Sequence, residues 1–363
     1  MATQKPSVPS NSAKTSSRTA PGRVTVDDVA NQAHVSRQTV SNVINAPHRV
    51  KPETIVQVKA VIDSLGYRVN RSARNLRTQQ SRVIGYCLPP INATGNSVLD
   101  AFLHALVEAS RDRGYHLLLV TAPDKKSEMN AYWELAAQSA IDGIVFAQTD
   151  YDDPRPSALL DARVPFVSFG RTWGKIEHSW VDVDGAAGTR QATEHLIRLG
   201  HRHFAWIGHS TRSVGNVERE RGVIDALDAA GLAPSNHLHL IDVDGHASVQ
   251  DQLSEVLDGH NAPSGIVAVN DVHAVTALAE LERRGLTPGR DAGVVGFDDS
   301  PVASVAGGGL TSVRQPLADV ASELVRALAA QFDDPSGDPS GVLLTPQLII
   351  RRTTAGSSAG GSR

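Results

Sequence analysis

Scarcity narrows the reading of this 363-residue chain first: it holds one cysteine and two methionines, and aromatic residues make up only 4% of it. The single thiol, Cys87, closes no disulfide within the chain and supports no cysteine-based zinc site. Set inside the apolar run VIGYCL, it reads as packing and is consistent with a reducing cytoplasm. No apolar stretch approaches the 18 residues that a membrane helix needs, so no membrane partner is expected. The sequence lacks a GxxxxGK[ST] run, a GxSxG elbow and a GxGxxG turn after its first strand, which removes the common nucleotide-binding and acyl-transfer readings. His201 and His203 have the look of a metal pair, but the HRH follows Leu199-Gly200 at a loop-to-strand junction and reads as a surface turn. Asp298 and Asp299 are adjacent, and neighbours on a strand point opposite ways, so they cannot flank one bond as an acid pair. No catalytic residue, metal or cofactor is assigned, and the chain is not expected to be an enzyme.

Charge is present but unevenly placed. Residues 1 to 80 hold 12 Lys/Arg against 4 Asp/Glu, whereas residues 81 to 363 hold 23 against 35, a division hidden by the net charge of -4. A basic module on an acidic body concentrates attraction for phosphate at one end. Residues 1 to 23 are rich in Ser, Thr, Pro and Ala, without an apolar signal-peptide core, and read as a disordered tail. From residue 24 the pattern changes. Val26, Val29, Ala30 and Ala33 fall at helical spacing behind Thr25, a capping residue with Asp28 three positions on in the place of a capping-box glutamate. A second helix begins after Ser36, with Val35 and Val40 at hydrophobic-staple spacing. Val40, Val43 and Ile44 share one side of it, and Gln38, Ser41, Asn42 and Asn45 the other, with Arg37 at the exposed start. Those polar types read base edges: Arg pairs with guanine, and Gln or Asn with adenine. The alternative is a small three-helix module whose polar face is simply solvated. Pro52 opens a third helix carrying Ile55, Val58, Ile62 and Leu65, which ends before Gly66. Arg68, Arg71, Arg74 and Arg77 follow, with Leu76 the one large apolar residue among the later positions.

In order and density, V-T-V-x-D-V-A-x-x-A-x-V-S-x-x-T-V-S-x-V-I-N and the later L-G-Y-R-x-N-x-x-A-R-x-L resemble the headpiece and hinge of the lactose-repressor (LacI/GalR) family. The resemblance implies a second helix in the major groove and a hinge that becomes helical on DNA, with a leucine wedged into the minor groove. It assigns Arg37, Gln38 and Asn42 as base readers and Thr25, Ser36, Thr39 and Asn45 as phosphate contacts. Ser41, Asn70 and Arg74 join the DNA-contacting set, and Leu76 is the wedge. Two departures stand out: Val69 where many members carry Pro, and His34 in place of a turn Gly, which strains the turn. The expected organisation is a tail (1–23), a helix-turn-helix headpiece (24–69), a hinge helix (70–80), a core (81–354) and a tail (355–363).

Within the core, apolar runs (VIGYCL, YHLLLV, GIVFAQ, PFVSF, then HFAWIG, LHLIDV, GIVAVN, GVVGF) alternate with helix-length segments at 97–113, 186–199, 217–230 and 271–284. Strands that are apolar throughout indicate parallel sheets covered on both faces. The fold class expected is therefore an all-α headpiece plus an α/β core of two Rossmann-like lobes, similar to periplasmic binding proteins. The first lobe is expected from 81–182 with 312–340, the second from 183–311 with 341–354. The resemblance continues through FGR (169–171), VDVDGAAG (181–188), RERG (219–222), ND (270–271) and GFDD (296–299).

Ligands of such sheets bind beyond the carboxyl ends of the strands. There the resemblance places Arg219, Asn270 and Asp298 as effector contacts: a forked donor, an amide and a carboxylate, suited to the vicinal hydroxyls of a sugar. The competing readings are a salt bridge for Arg219 and Asp298, and a helix cap for Asn270. Gln148, Arg171 and His246 stand at further strand ends that family ligands touch. Trp173 and Trp180 offer faces either to a pyranose or to an interface. The function expected is a cytoplasmic, nucleoid-associated regulator, a repressor of carbohydrate uptake or catabolism genes. Its partners are pseudo-palindromic operator DNA, a small sugar and a second copy in a homodimer, since no leucine-heptad helix for tetramers is found. A purine or nucleoside effector, and a plain solute-binding protein, are the alternatives.

Overall fold

A computed structural model of the chain describes residues 24–67, 80–88, 97–173, 177–209, 213–245 and 247–355. The expected hinge contacts Asn70, Arg74 and Leu76 lie outside the described residues, as do His246 and both expected tails apart from Ala355. The chain divides into two compact units, residues 1–79 and 80–363.

Among its described residues the first unit holds three α-helices, α1 (Val26–Gln32), α2 (Arg37–Asn45) and α3 (Pro52–Leu65). The capping box at Thr25 forms, with Asp28 Oδ2 accepting from the Thr25 amide and hydroxyl at 2.8 Å each. Ser36 Oγ caps α2 by accepting from the Thr39 amide at 3.0 Å. Pro52 opens α3, and Gly66 closes it in the left-handed region at φ 61°. Val29, Ala30, Ala33, Val40, Val43 and Val58 are buried in the shared core, one apolar stripe from each helix. The turn between α1 and α2 places His34 at φ 49°, the left-handed backbone for which the resembling family uses glycine.

The second unit contains two six-stranded sheets. In the first lobe, β1 (Val83–Leu88), β2 (His116–Thr121), β3 (Gly143–Phe146), β4 (Phe166–Phe169), β5 (Trp180–Val183) and β11 (Gly341–Leu344) run parallel in the order β11-β5-β4-β3-β1-β2. In the second, β6 (Phe204–Gly208), β7 (Leu238–Asp242), β8 (Gly265–Ala268), β9 (Gly293–Asp298), β10 (Thr311–Arg314) and β12 (Gln347–Ile349) take the order β12-β10-β9-β8-β6-β7, with β12 antiparallel.

Both sheets are covered on both faces, which explains strands without alternation. In the first lobe, Ile84, Tyr86, Val145 and Val167 meet α4 (Ser97–Asp112) and the long helix α12 (Leu317–Asp333). Cys87, Ile144, Phe146 and Phe166 meet α5 (Lys125–Ala137) and α6 (Arg155–Asp161) on the opposite face. In the second, Phe204, Trp206, Val267 and Phe297 pack under α7 (Gly185–Arg198) and α8 (Val214–Ala229). Ala205, Ile207, Ile266 and Val294 pack under α10 (Val249–Leu257) and α11 (Asp271–Arg283), with α9 (Pro234–His237) a single turn before β7.

The exchange of chain between lobes differs from the expected boundaries. Thr311–Arg314 pairs in the second sheet, not the first, and Gly341–Leu344 pairs in the first, not the second. The chain crosses after β5, between β10 and α12, and between β11 and β12. The final strands are short and half-exposed, so apolar pattern cannot assign them to a sheet.

Candidate nucleic-acid interface and effector cleft

Once Val40 and Val43 are buried against α1 and α3, helical periodicity turns Arg37, Gln38, Ser41 and Asn42 away from that core. Arg37 and Gln38 are exposed, while Thr39, Ser41 and Asn42 are half-buried. Gln38 Nε2 donates to Asn42 Oδ1 at 3.0 Å, and the linked amides retain further donor and acceptor capacity. Arg37 meets Asp27 at 3.8 Å, both side chains largely exposed, a contact easily exchanged for phosphate or guanine. Ser36 and Thr39 share a hydroxyl contact of 2.9 Å at the N-terminus of α2, where backbone amides favour an anion. Thr25 is exposed, but its hydroxyl is engaged with Asp28, which leaves its side chain as a cap first.

At the carboxyl ends of the second lobe's strands the structure brings Arg219, Asn270 and Asp298 together. Arg219 projects from α8, and its guanidinium lies 3.7 Å from the centre of the Phe297 ring. Its Nη1 donates to Val269 O at 2.7 Å, the carbonyl before Asn270, while its Nε is shut from solvent with no hydrogen-bond partner. This approach depends on glycine: a Cβ on Gly185 would sit 2.9 Å from Arg219 Cγ, and one on Gly222 would sit 2.2 Å from Ala186 O. Asn270 caps α11, its Oδ1 accepting from the His273 amide at 3.0 Å, so the cap reading holds and its amide nitrogen remains as a donor.

Asp298 ends β9 at φ 105° and Asp299 follows at φ 51°, two left-handed non-glycine residues in succession. Such backbone costs about 1–3 kcal/mol per residue and is concentrated at functional sites. It divides the pair. Asp299 is held by Arg314 and Arg351 at 2.7 and 2.6 Å, whereas Asp298 accepts from Gln315 Nε2 at 2.6 Å and faces Arg219 without a direct ion pair. Burial pushes the Asp298 carboxyl up to about 7, only partly opposed by the charge of Arg219; burial likewise lowers Arg219. Asp271 has another role: fully buried, it accepts from both Ser300 and Ser312 and ties the loop after β9, and β10, to α11.

In the first lobe, Arg171 directs its fork at carboxylates, Nε to Asp182 at 3.0 Å and Nη2 to Glu218 of α8, and so joins the two lobes. Gln148 is exposed in left-handed backbone at φ 54°, and its carbonyl accepts from Arg155, which is itself locked by Glu128 and Asp153. Sequence reasoning missed a group beside Asn270: His209 Nδ1 lies 3.1 Å from Asp244 Oδ1, and the His273 ring meets His209 edge-on at 5.7 Å. His209 and Asp244 fall just past strand ends and His273 in the first turn of the helix after β8, the signal available in the sequence. Burial, with His209 beside it, lowers the His273 pKa.

Residues 25–70 match bacterial regulatory proteins of the lacI family, and residues 193–354 match a periplasmic binding protein-like domain. The regulator CelR of Thermobifida fusca is 34% identical over 337 residues, 91% of this chain and 98% of that protein. The chain belongs to the LacI family. Solved LacI-family structures carry the same fold. A CelR–cellobiose complex superposes with a TM-score of 0.68 at 32% identity, covering 91% of this chain and 100% of that one. A lac repressor dimer bound to operator gives 0.75 at 25% identity, covering 92% and 99%. These relatives are named as regulators rather than enzymes. Among the described residues, no helix is long and apolar enough to cross a membrane.

Proposed function

We propose that this LacI-family chain is a sugar-responsive repressor, working in the cytoplasm as a homodimer on a pseudo-palindromic operator. Arg37, Gln38 and Asn42 read bases; Ser36, Thr39, Ser41 and Asn45 position α2 on phosphates. Asn70, Arg74 and Leu76 form the hinge contacts. The sugar is held by Arg219, Asn270 and Asp298, with Gln148 and His246 at the rim. Arg171 couples the lobes through Glu218.

The observation that carries this reading is Arg219: a guanidinium stacked on Phe297, with one donor shut from solvent and unpartnered, facing a carboxylate it does not touch. A buried donor left open costs stability unless a ligand completes it, and vicinal hydroxyls bridge such a fork and carboxylate. Relatives lend the ligand class, one of them solved with cellobiose.

Selection of bound sequences from a random duplex library by the full chain tests the DNA half. The expected product is a two-half-site element. Arg37→Ala should relax base preference at one position per half-site, and binding should fall steeply with salt as the basic module releases counterions. Enrichment of no sequence by the wild-type chain would contradict the reading.

A further inference from the structure

The basic headpiece carries few acids, and one of them stands beside its reading helix. Residues 1 to 80 hold Asp27, Asp28, Glu53 and Asp63 as their acidic residues. Asp28 is engaged in the capping box at Thr25, and Glu53 and Asp63 lie on α3. Asp27 is placed differently. It projects from the first turn of α1, and its Oδ2 lies 3.8 Å from Nη1 of Arg37, the first residue of α2. Both helix starts are fixed, α1 by the Thr25 cap and α2 by Ser36, and the two helices share a core through Val29, Ala30, Val40 and Val43. The two side chains therefore meet from anchored backbones. Asp27 is 60% and Arg37 70% exposed, so their pairing adds little stability and calls for another explanation.

An acid at this place opposes the module's attraction for phosphate, and it favours one partner for Arg37 over another. Asp27 takes the Nη1 end of the guanidinium and leaves the Nε and Nη2 donors, a parallel pair that matches O6 and N7 of guanine. A phosphate on that edge would bring a second negative charge beside Asp27, whereas guanine presents neutral acceptors. Adenine offers N7 but turns its N6 amine, a donor, toward the cation.

We propose that Asp27 is a specificity-determining residue of the headpiece that acts through Arg37: it holds the guanidinium on a guanine edge and keeps it off the phosphate backbone. This rests on the reading of Arg37 as a base contact. An acid in the first turn also suits the dipole of α1, but that role touches helix stability and not base choice.

Competition binding to the full chain, read by fluorescence anisotropy, tests it. The duplexes are the operator selected by the wild-type chain, the same operator with each base pair of one half-site changed in turn, and a random-sequence duplex. At the position that Arg37→Ala relaxes, the wild type should prefer G·C over A·T by roughly tenfold or more. Asp27→Ala and Asp27→Asn should lose most of that preference, keep the wild-type preferences elsewhere in the half-site, and bind the random duplex more tightly. In an Arg37→Ala background, Asp27→Ala should remove no further preference. An unchanged G·C preference in Asp27→Ala, an equal loss at every position, or a loss that persists without Arg37 would each overturn the role of Asp27. A wild-type chain whose operator has no G·C position dependent on Arg37 would overturn the base reading of Arg37 itself, and the proposal with it.

Discussion

Two carboxylates side by side, Asp298 and Asp299, illustrate how far one residue's surroundings set its role. Asp299 is held by two arginines, while burial leaves Asp298 with a proton up to about pH 7. In the ligand-free fold this group is raised above its unfolded value, so its contribution to stability is fully present below about pH 4 and is lost as pH rises through 7. Hydroxyl donors of a sugar favour the ionised carboxylate, and proton release therefore accompanies binding. Effector affinity should be flat above pH 8 and fall by up to about tenfold per unit below pH 7. Asp298→Asn should bind weakly at every pH with that slope abolished. Calorimetry from pH 5.5 to 8.5 reads both, and a pH-independent wild-type affinity would contradict the assignment.

At the scale of the element, capping decides how the reading helix is presented. The Ser36 side chain satisfies an amide at the start of α2. Ser36→Ala should lower headpiece stability by about 1 kcal/mol, and Ser36→Asn should restore most of it. Hydrogen exchange at the α2 amides of the full chain measures this; protection unchanged in Ser36→Ala would show that the core alone holds the helix. The same elements show what the sequence made legible. Caps, staple, Pro52 and Gly66 are local signals, and the headpiece followed from them; eight core strands followed from apolar runs. Strand β5 did not stand out because Asp182 interrupts it, and β11 and β12 did not because edge strands bury little. The exchange of β10 and β11 between lobes is a long-range pairing that no local pattern encodes. In the cleft, Arg219, Asn270 and Asp298 were identified through family resemblance and are brought together. The ion pairs of Arg171 arise only when separate elements meet, so their partners were invisible in the chain order.

For the whole molecule, function requires that the buried cleft alter the grip of an exposed headpiece, and such coupling is reciprocal by thermodynamic necessity. A sugar that closes the core around Arg219 changes the relation of the lobes that Arg171 and Glu218 already join. The sign expected for a repressor is release of DNA, and the two activities should be separable by substitution. The most direct measurement is fluorescence anisotropy of the selected operator bound to the full chain while mono- and disaccharides of the gluco, galacto, manno and xylo series are added. The account predicts dissociation from the wild-type protein, and from Arg219→Ala an unchanged grip on DNA with no response at saccharide concentrations that empty the wild type. Release from Arg219→Ala at the wild-type concentration, or a wild-type complex that no bound saccharide alters, would contradict it.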